Sequence, residues 1–182
     1  TPNMQPKIIK LILIGQKNAG KTTLIHRVVH DEFTELVTET VGLDFSAKKF
    51  TDRTINIWDI PGQDNSNSLN KTYFRKAQLV WLVLDLSDES CLQSAQFWIH
   101  QSSQMIQNGY ELAIIGAKAD LQQGVSERDL QDFVQGSGKQ FLKVSAKTGD
   151  GVQELFSWMQ NASVEEVDSN LVVKKVKKES GC

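Results

Sequence analysis

The chain has 182 residues, of which 40% are hydrophobic, and a formal net charge of −2. This length and composition fit one compact domain with a sizeable core, and no apolar run approaches the roughly 18 residues that a transmembrane helix needs. The start of the chain lacks the pattern of a signal peptide. Two cysteines, Cys91 and Cys182, are too few for a disulfide framework or a zinc site, and they favour a reducing, intracellular compartment.

Charge is unevenly distributed along the chain. The segment 174–178 reads "KKVKK", and without its four lysines and Glu179 the rest of the chain has 16 basic and 21 acidic residues. An acidic body argues against a nucleic-acid partner. The basic segment fits contact with an anionic membrane surface, although a solubilising tail would have the same composition.

Strand-like and helix-like segments alternate along the chain. The strand-like segments are 7–14, 42–50, 53–59, 78–84, 111–117 and 140–144. The segments with helical periodicity are 21–30, 67–76, 90–106, 127–135 and 151–161, with Ser126 as the N-cap of the fourth helix. The second and third strands are so close in sequence that they form an antiparallel hairpin, and the remaining β-α-β order predicts a mostly parallel sheet covered on both faces.

The first strand leads into "GQKNAGKTT", residues 15–23, and then into a helix. The spacing G-x-x-x-x-G-K-T between a strand and a helix predicts a turn whose backbone N–H groups converge on a phosphate. Lys21 would reach the β- and γ-phosphates, and the Thr22 hydroxyl would ligate magnesium. The helix N-terminus adds partial positive charge. The alternative is an ordinary strand-to-helix turn with a chance lysine.

The third strand is followed by "WDIPGQD", residues 58–64. Asp59 lies at a strand end, where a carboxylate can hold magnesium through water. Gly62 can bring its backbone N–H to a γ-phosphate, and Gln63 can orient an attacking water. As an alternative, D-x-x-G also occurs in turns with no such role.

The fifth and sixth strands are followed by "AKAD" (117–120) and "SAK" (145–147). The Asp120 carboxylate can accept hydrogen bonds from both N1–H and the exocyclic amine of guanine. This pairing rejects adenine, because adenine would leave buried polar groups unpaired.

These four motifs and "TVGLDF" (40–45), which lies between the first and the second of them, resemble in their order and spacing the Ras superfamily of small GTPases, and the Rab branch in particular, over residues 7–162. The resemblance implies an α/β P-loop G domain: a mostly parallel six-stranded sheet with one antiparallel edge strand and helices on both faces. Residues 1–6 would be a flexible N-terminus, and residues 163–182 a hypervariable basic tail. The implied ligands are GTP or GDP and Mg²⁺.

The same resemblance assigns roles to individual residues. Phe33 would pack on the nucleotide, and Thr40 would ligate magnesium and contact the γ-phosphate. Gln63 and Lys21 would be catalytic, and Thr22, Thr40 and Asp59 would hold the metal. The nucleotide-binding residues would be Gly15, Lys17, Asn18, Ala19, Gly20, Lys21, Thr22, Thr23, Phe33, Thr40, Gly62, Lys118, Asp120, Ser145, Ala146 and Lys147.

Partners are implied as well. Phe45, Trp58 and Tyr73 would form an aromatic surface that effectors read, although the residues alone favour three core aromatics. An exchange factor and a GTPase-activating protein would act on a monomer through its two switch regions. By the resemblance, the first switch ends at "TVGLDF" (40–45) and the second begins at "WDIPGQD" (58–64). Cys182 would be a lipid acceptor which, with the basic tail, anchors the protein to a membrane.

Four features depart from the family pattern. Ala117 stands where asparagine is usual, which removes hydrogen bonds near the base and a tie to the phosphate loop. Lys17 occupies a position that is commonly small or acidic, and Pro61 replaces a usual alanine and fixes φ at the root of the second switch. The segment "DNSNS" (64–68) is more polar than the usual sequence there.

The sequence therefore predicts a Rab-like switch in membrane traffic that hydrolyses GTP to GDP and phosphate. We expect it in the cytoplasm, peripheral on the cytosolic face of an endomembrane, with slow turnover because no arginine finger is evident in cis. Two alternatives remain: a degenerate nucleotide-binding scaffold that acts by partner binding alone, and a P-loop phosphotransferase or ATPase. Asp120 and the "SAK" loop argue against the second.

Overall fold

A computed structural model of the chain describes residues 6–35, 43–61, 71–106 and 109–164. Strands and helices alternate through these ranges. Their bounds are, in chain order, β1 (Lys7–Ile14), α1 (Lys21–His30), β2 (Asp44–Lys49), β3 (Arg53–Asp59), α2 (Lys71–Phe74), β4 (Leu79–Asp85), α3 (Cys91–Met105), β5 (Glu111–Ala117), α4 (Glu127–Ser137), β6 (Gln140–Lys143) and α5 (Val152–Asn161).

The six described strands form one sheet in the order β2-β3-β1-β4-β5-β6. Every neighbouring pair is parallel except β2 and β3, which are antiparallel. The hairpin between β2 and β3 is closed by the Phe50 N–H, which donates to the Arg53 carbonyl at 2.8 Å. The predicted hairpin and the mostly parallel sheet with one antiparallel edge strand are thus confirmed.

The sheet has an apolar layer on each face. Alternate residues of β1 face opposite sides, because successive side chains of a strand point to opposite faces. Ile9, Leu11 and Leu13 pack with α1 and α5, whereas Ile12 and Ile14 pack with α2, α3 and α4. Each such residue that is fully buried stabilises the fold by about 1.5–3 kcal/mol. The two layers make the sheet the rigid platform of the domain.

Most of the predicted segments are confirmed to within two residues. Ser126 is the N-cap of α4, since its Oγ accepts the Asp129 N–H at 3.1 Å. The predicted helix 67–76 is shorter at its end: α2 stops at Phe74, and Lys76 has a left-handed φ of +59° that a helix cannot contain. Residues 67–70 of that prediction, like residue 42 of the predicted second strand, lie outside the described residues.

The carboxyl ends of the parallel strands meet at one edge of the sheet. Leu13 of β1 is in register with Asp59 at the end of β3, and Asp85 at the end of β4 is in register with Ala117 at the end of β5. Loops that follow these strands therefore start side by side. This edge is where open α/β sheets bind ligands.

Two glycines before α5 separate the effect of backbone conformation from that of steric contact. Gly149 and Gly151 both have positive φ, at +87° and +76°. A Cβ on Gly151 would lie 2.1 Å from the backbone oxygen of Lys143, whereas a Cβ on Gly149 would meet nothing within 4 Å. Of these two glycines, only Gly151 packs directly against the end of β6.

We predict that Gly151→Ala destabilises the protein more than Gly149→Ala. Strain at positive φ lowers the free energy of unfolding by about 1 kcal/mol in both variants, and the clash with Lys143 brings the loss in Gly151→Ala to roughly 3 kcal/mol. Urea unfolding at one fixed ligand concentration gives both values. Equal losses in the two variants would contradict the close packing of this turn.

Candidate functional site

The loop between β1 and α1 is seated directly on the sheet. Gly15 has a φ of +140°, and a Cβ placed there would lie 2.3 Å from the backbone oxygen of Val83 in β4. α1 begins after Gly20, which supplies no capping side chain, and its first turn holds no acidic residue. The helix therefore presents its N-terminal partial charge with no carboxylate from its own first turn, which suits an incoming phosphate.

Lys21 folds back over this loop. Its side chain is buried, with 6% of the residue exposed, and Nζ donates to the carbonyl oxygens of Gly15 at 3.0 Å and Gln16 at 2.7 Å. Burial lowers the pKa of Lys21 to about 8, and the charge of Asp59 raises it in part. A buried ammonium favours an anionic partner, because neutral carbonyls do not balance its charge.

Thr22 and Asp59 meet beside Lys21. The Thr22 hydroxyl donates to Asp59 Oδ2, and Asp59 is 3% exposed at the end of β3. A hydroxyl and a carboxylate are hard oxygen donors of the kind that Mg²⁺ prefers. Within the described ranges, no group of three or more His, Cys, Asp and Glu side chains could hold a metal. The donor set fits Mg²⁺, which takes few ligands from protein and the rest from water and phosphate.

The loops after β5 and β6 are joined through Asp120 and Ser145. Ser145 is fully buried, and its hydroxyl donates to Asp120 Oδ1 at 2.6 Å while accepting the Thr148 N–H at 3.1 Å. The Ala119 N–H donates to the Val144 carbonyl at 3.1 Å. These bonds fix where the Asp120 carboxylate lies at the rim of the pocket.

Lys118 is tied to the end of the neighbouring strand. It has a left-handed φ of +58°, and Nζ donates to Asp85 Oδ2 at 2.6 Å. Burial alone would raise the pKa of Asp85, but hydrogen bonds from Lys118 and Ser87 hold it below its usual value. Asp85 therefore stays charged and anchors the Lys118 side chain, a function that the sequence prediction missed although Asp85 ends a strand at the ligand edge.

One pocket of about 380 Å³ lies between the phosphate loop and the two later loops. It brings together most of the predicted nucleotide-binding residues. Those that line it are Lys17, Asn18, Gly20, Lys21, Thr22, Thr23, Phe33, Lys118, Asp120, Ala146 and Lys147. The sequence motifs, far apart along the chain, thus converge on a single cavity.

The remaining predicted site residues lie elsewhere. Gly15 and Ala19 are buried within the phosphate loop and Ser145 is buried next to Asp120, so these three do not line the pocket. Asp59 lines a smaller cavity next to Thr22. Thr40, Gly62, Gln63 and Cys182 lie outside the described residues.

The pocket is also lined by residues that were not among the predicted site residues, including Leu121 and Glu35. Leu121 follows the "AKAD" motif and is 48% exposed, and an exposed large apolar residue beside a binding motif is a signal that could have identified it. Glu35 also lines the pocket and pairs with Lys147 Nζ at 4.0 Å. This contact spans the mouth of the pocket and has no local sequence signature.

The predicted aromatic surface is present in part. Phe45 is 53% exposed and packs edge-on against Trp58, with ring centroids 5.7 Å apart. Lys10 Nζ lies 4.4 Å from the centroid of the Trp58 ring. The alternative reading of three core aromatics is wrong for Phe45, whereas Trp58 and Tyr73 are half-buried against the second apolar layer. A partner-reading surface at these residues remains a prediction.

Comparison with known proteins agrees with this geometry. The model of the Ras family matches residues 10–165. Ras-related protein RABF2b of Arabidopsis thaliana is 33% identical over 153 residues, covering 81% of this chain and 76% of that protein. Ras-related protein RabC of Dictyostelium discoideum is 29% identical over 182 residues, covering 95% and 91%. GTP-binding protein ypt5 of Schizosaccharomyces pombe is 31% identical over 156 residues, covering 81% and 74%.

The family match covers most of the chain, and its range of residues 10–165 includes both the phosphate loop and the base-side loops. The chain therefore belongs to the Ras family of small GTPases and is Rab-like.

Proposed function

We propose that this chain binds guanine nucleotide with magnesium, hydrolyses GTP to GDP and phosphate, and acts as a Rab-type switch in membrane traffic. One observation supports this most directly: a single pocket has an ammonium and a helix N-terminus at one end and the Asp120 carboxylate at the other. The first end is complementary to phosphates, and the second to the donor edge of guanine.

The residues at the phosphate end of the pocket have separate chemical roles. Lys21 donates to β- and γ-phosphate oxygens and offsets the negative charge that develops on them. Thr22 and Asp59 would hold Mg²⁺, which when bound neutralises charge on the same oxygens. Gln63 orients the attacking water. The chain thus supplies positioning and electrostatic stabilisation rather than a covalent step.

The same proposal assigns a role to two switch segments, one that contains Thr40 and one that contains Gly62. Thr40 and Gly62 contact the γ-phosphate in the GTP state, and loss of that phosphate releases both. Effectors and regulators would then distinguish the two states next to Phe45, Trp58 and Tyr73. We propose that the protein performs this cycle as a monomer.

Membrane attachment is proposed for the tail. No helix among the described residues has the length and apolar character to cross a membrane. The lysines of 174–178 would each contribute about 1 kcal/mol near an anionic leaflet. A lipid on Cys182 together with this basic segment meets the two-signal requirement for stable anchoring, and places the switch on the cytosolic face of an endomembrane.

Ala117 is expected to weaken nucleotide binding without changing its preference. It is buried at the end of β5, and a Cβ on Gly20 would lie 3.9 Å from the Ala117 Cβ. A methyl group therefore faces the phosphate loop where the family has an amide, and it offers no hydrogen bond. Preference for guanine rests on Asp120, which is unaffected.

The proposed function is tested by the nucleotide that the purified protein carries. Denaturation should release close to one GDP or GTP per chain. Lys21→Ala should release much less, because the buried charge that faces the phosphates is lost, whereas Lys139→Ala, which removes an exposed lysine after α4, should match the wild type. Chromatography of the released nucleotide gives the result. ATP products would contradict the assignment, and an empty wild-type site would favour the scaffold alternative.

Catalysis is tested at Gln63. If Gln63 orients the attacking water, Gln63→Leu should slow single-turnover GTP hydrolysis by at least tenfold, about 1.4 kcal/mol in the barrier, while GDP affinity stays nearly unchanged. Phosphate release after a single round of GTP loading measures the rate. An unchanged rate would show that another residue positions the water.

Ala117→Asn should slow the dissociation of labelled GDP. Restoring the amide adds hydrogen bonds worth roughly 0.5–3 kcal/mol, or about two- to 150-fold in affinity. Most of this gain should show in the release rate, because association is less sensitive to such changes. Stopped-flow release measures it, and discrimination against ATP serves as the control that should not change. Equal release rates in the two proteins would mean that other contacts already supply the missing tie.

A further inference from the structure

Arg27 connects α1 to the turn that follows β6. It lies six residues after Lys21, with a side chain that is 14% exposed. Nε donates to the Ala146 carbonyl at 2.7 Å, and Nη2 donates to the Lys147 carbonyl at 3.2 Å. Nη1 donates to the carbonyl and carboxylate oxygens of Asp31 at 2.9 and 3.2 Å. Asp31 thus binds one side of the planar guanidinium, and the other side donates to the carbonyls of two successive residues.

The hydrogen bond from Arg27 to the Ala146 carbonyl sets the direction of the Lys147 N–H. No peptide bond in the described residues is cis. In a trans peptide, C=O and N–H point in opposite directions, so the Lys147 N–H points away from Arg27 when the Ala146 carbonyl points toward it. Ala146 and Lys147 both line the pocket. Arg27 therefore keeps the Ala146 carbonyl turned away from the pocket and leaves the Lys147 N–H available to a ligand.

The opposite flank of the turn is held separately. Ser145 binds Asp120 at 2.6 Å and the Thr148 N–H at 3.1 Å. On the phosphate side, the methyl group of Ala117 faces Gly20 and makes no hydrogen bond there. The hydrogen bonds of Arg27 therefore bridge α1, which carries Lys21, and the turn beside the base, where Ala117 provides no such bridge.

We propose that Arg27 is a positioning residue of the guanine site. By holding the Ala146 and Lys147 carbonyls, it keeps this turn in place and directs the Lys147 N–H at O6, the acceptor on the edge of guanine that Asp120 reads. One helix then sets both ends of the pocket, with Lys21 at the phosphates and Arg27 behind the base. This inference rests on the proposed function.

The structure offers a matched control in Arg53. Its side chain is 16% exposed, and Nη1 donates to the Ala162 carbonyl at 3.0 Å while Nε and Nη2 donate to Asp52 Oδ2 at 3.1 Å. Arg53 thus also joins a carboxylate to backbone carbonyls, but at the start of β3, the end of that strand opposite Asp59. Arg27→Lys and Arg53→Lys remove the same planar fork and keep the charge.

The first measurement compares stability with nucleotide release. Urea unfolding should show similar losses of stability in the two variants. Release of fluorescently labelled GDP should be on the order of tenfold faster in Arg27→Lys and unchanged in Arg53→Lys, because one ammonium cannot hold both carbonyls. Arg27→Gln is measured in parallel, so that a folding failure in one variant leaves the other to decide.

The second measurement asks whether Arg27 acts through O6. Wild type and Arg27→Lys are loaded with GDP, IDP or 6-thio-GDP, and each is exchanged for excess labelled GDP. IDP keeps O6 and lacks the amine that Asp120 reads, whereas 6-thio-GDP keeps that amine and replaces O6 with sulfur, a weaker acceptor. The variant-to-wild-type ratio of release rates should be similar for GDP and IDP and smaller for 6-thio-GDP.

The outcomes separate this inference from the proposed function. The same ratio for all three nucleotides would show that Arg27 acts only on general stability, and would overturn the inference. Release of GDP from Arg27→Lys that is as slow as from Arg53→Lys would also overturn the inference. If the wild type still binds GDP in that case, the proposed function stands. A wild type that binds no guanine nucleotide would overturn both.

Discussion

The ammonium of Lys21 lies inside the protein, and a charge removed from water must be balanced or hydrogen-bonded there. Its two hydrogen bonds go to carbonyl oxygens of Gly15 and Gln16, and the charge of Asp59 offsets part of the cost of burying the ammonium. The backbone at Gly15, which supplies one of these carbonyls, packs so closely against β4 that no side chain would fit there. The pocket thus presents a buried cation, and the helix N-terminus beside it adds to the same positive field. A phosphate is the ligand that satisfies both.

The base side of the pocket is organised by lateral ties. Lys118 is bound to Asp85 at the end of β4, and Asp120 is bound to Ser145 after β6. These contacts run across the ends of neighbouring strands and brace each loop against the next one. Ala117 offers no hydrogen bond toward the phosphate loop, whereas Arg27 of α1 donates two hydrogen bonds to the turn after β6. A rigid helix suits this role better than a loop, because it keeps Lys21 and Arg27 at a constant separation.

The hairpin edge of the sheet brings the Thr22–Asp59 pair, the proposed magnesium site, close to the aromatic surface. Trp58 and Asp59 are consecutive in β3, and their side chains face opposite sides of the strand. Asp59 meets Thr22, whereas Trp58 packs against Phe45 and lies under the Lys10 ammonium. One strand therefore carries both the carboxylate proposed to hold Mg²⁺ and a half-buried aromatic. Any partner that packs on Trp58 lies one residue from Asp59.

The sequence by itself determined which chemical groups the protein has and the order in which they occur. Apolar runs defined β1 and β5 to the residue, and the pattern of glycines, Lys21 and threonines in residues 15–23 predicted the loop after β1 and the start of α1. Such patterns are local, because burial and turn chemistry act within a few residues. The end of α2 at Phe74 was missed, since a left-handed residue such as Lys76 has no strong local signature.

Only the tertiary structure decided which of these groups meet. Arg27 binds a carbonyl 119 residues away, and Lys118 binds a carboxylate 33 residues away. An arginine on a helix and an aspartate at a strand end are compatible with many partners, and the sequence does not state which one lies within 3 Å. That choice follows from the order of the strands and the seating of α1 on the sheet, because contacts between distant residues depend on how the whole chain packs.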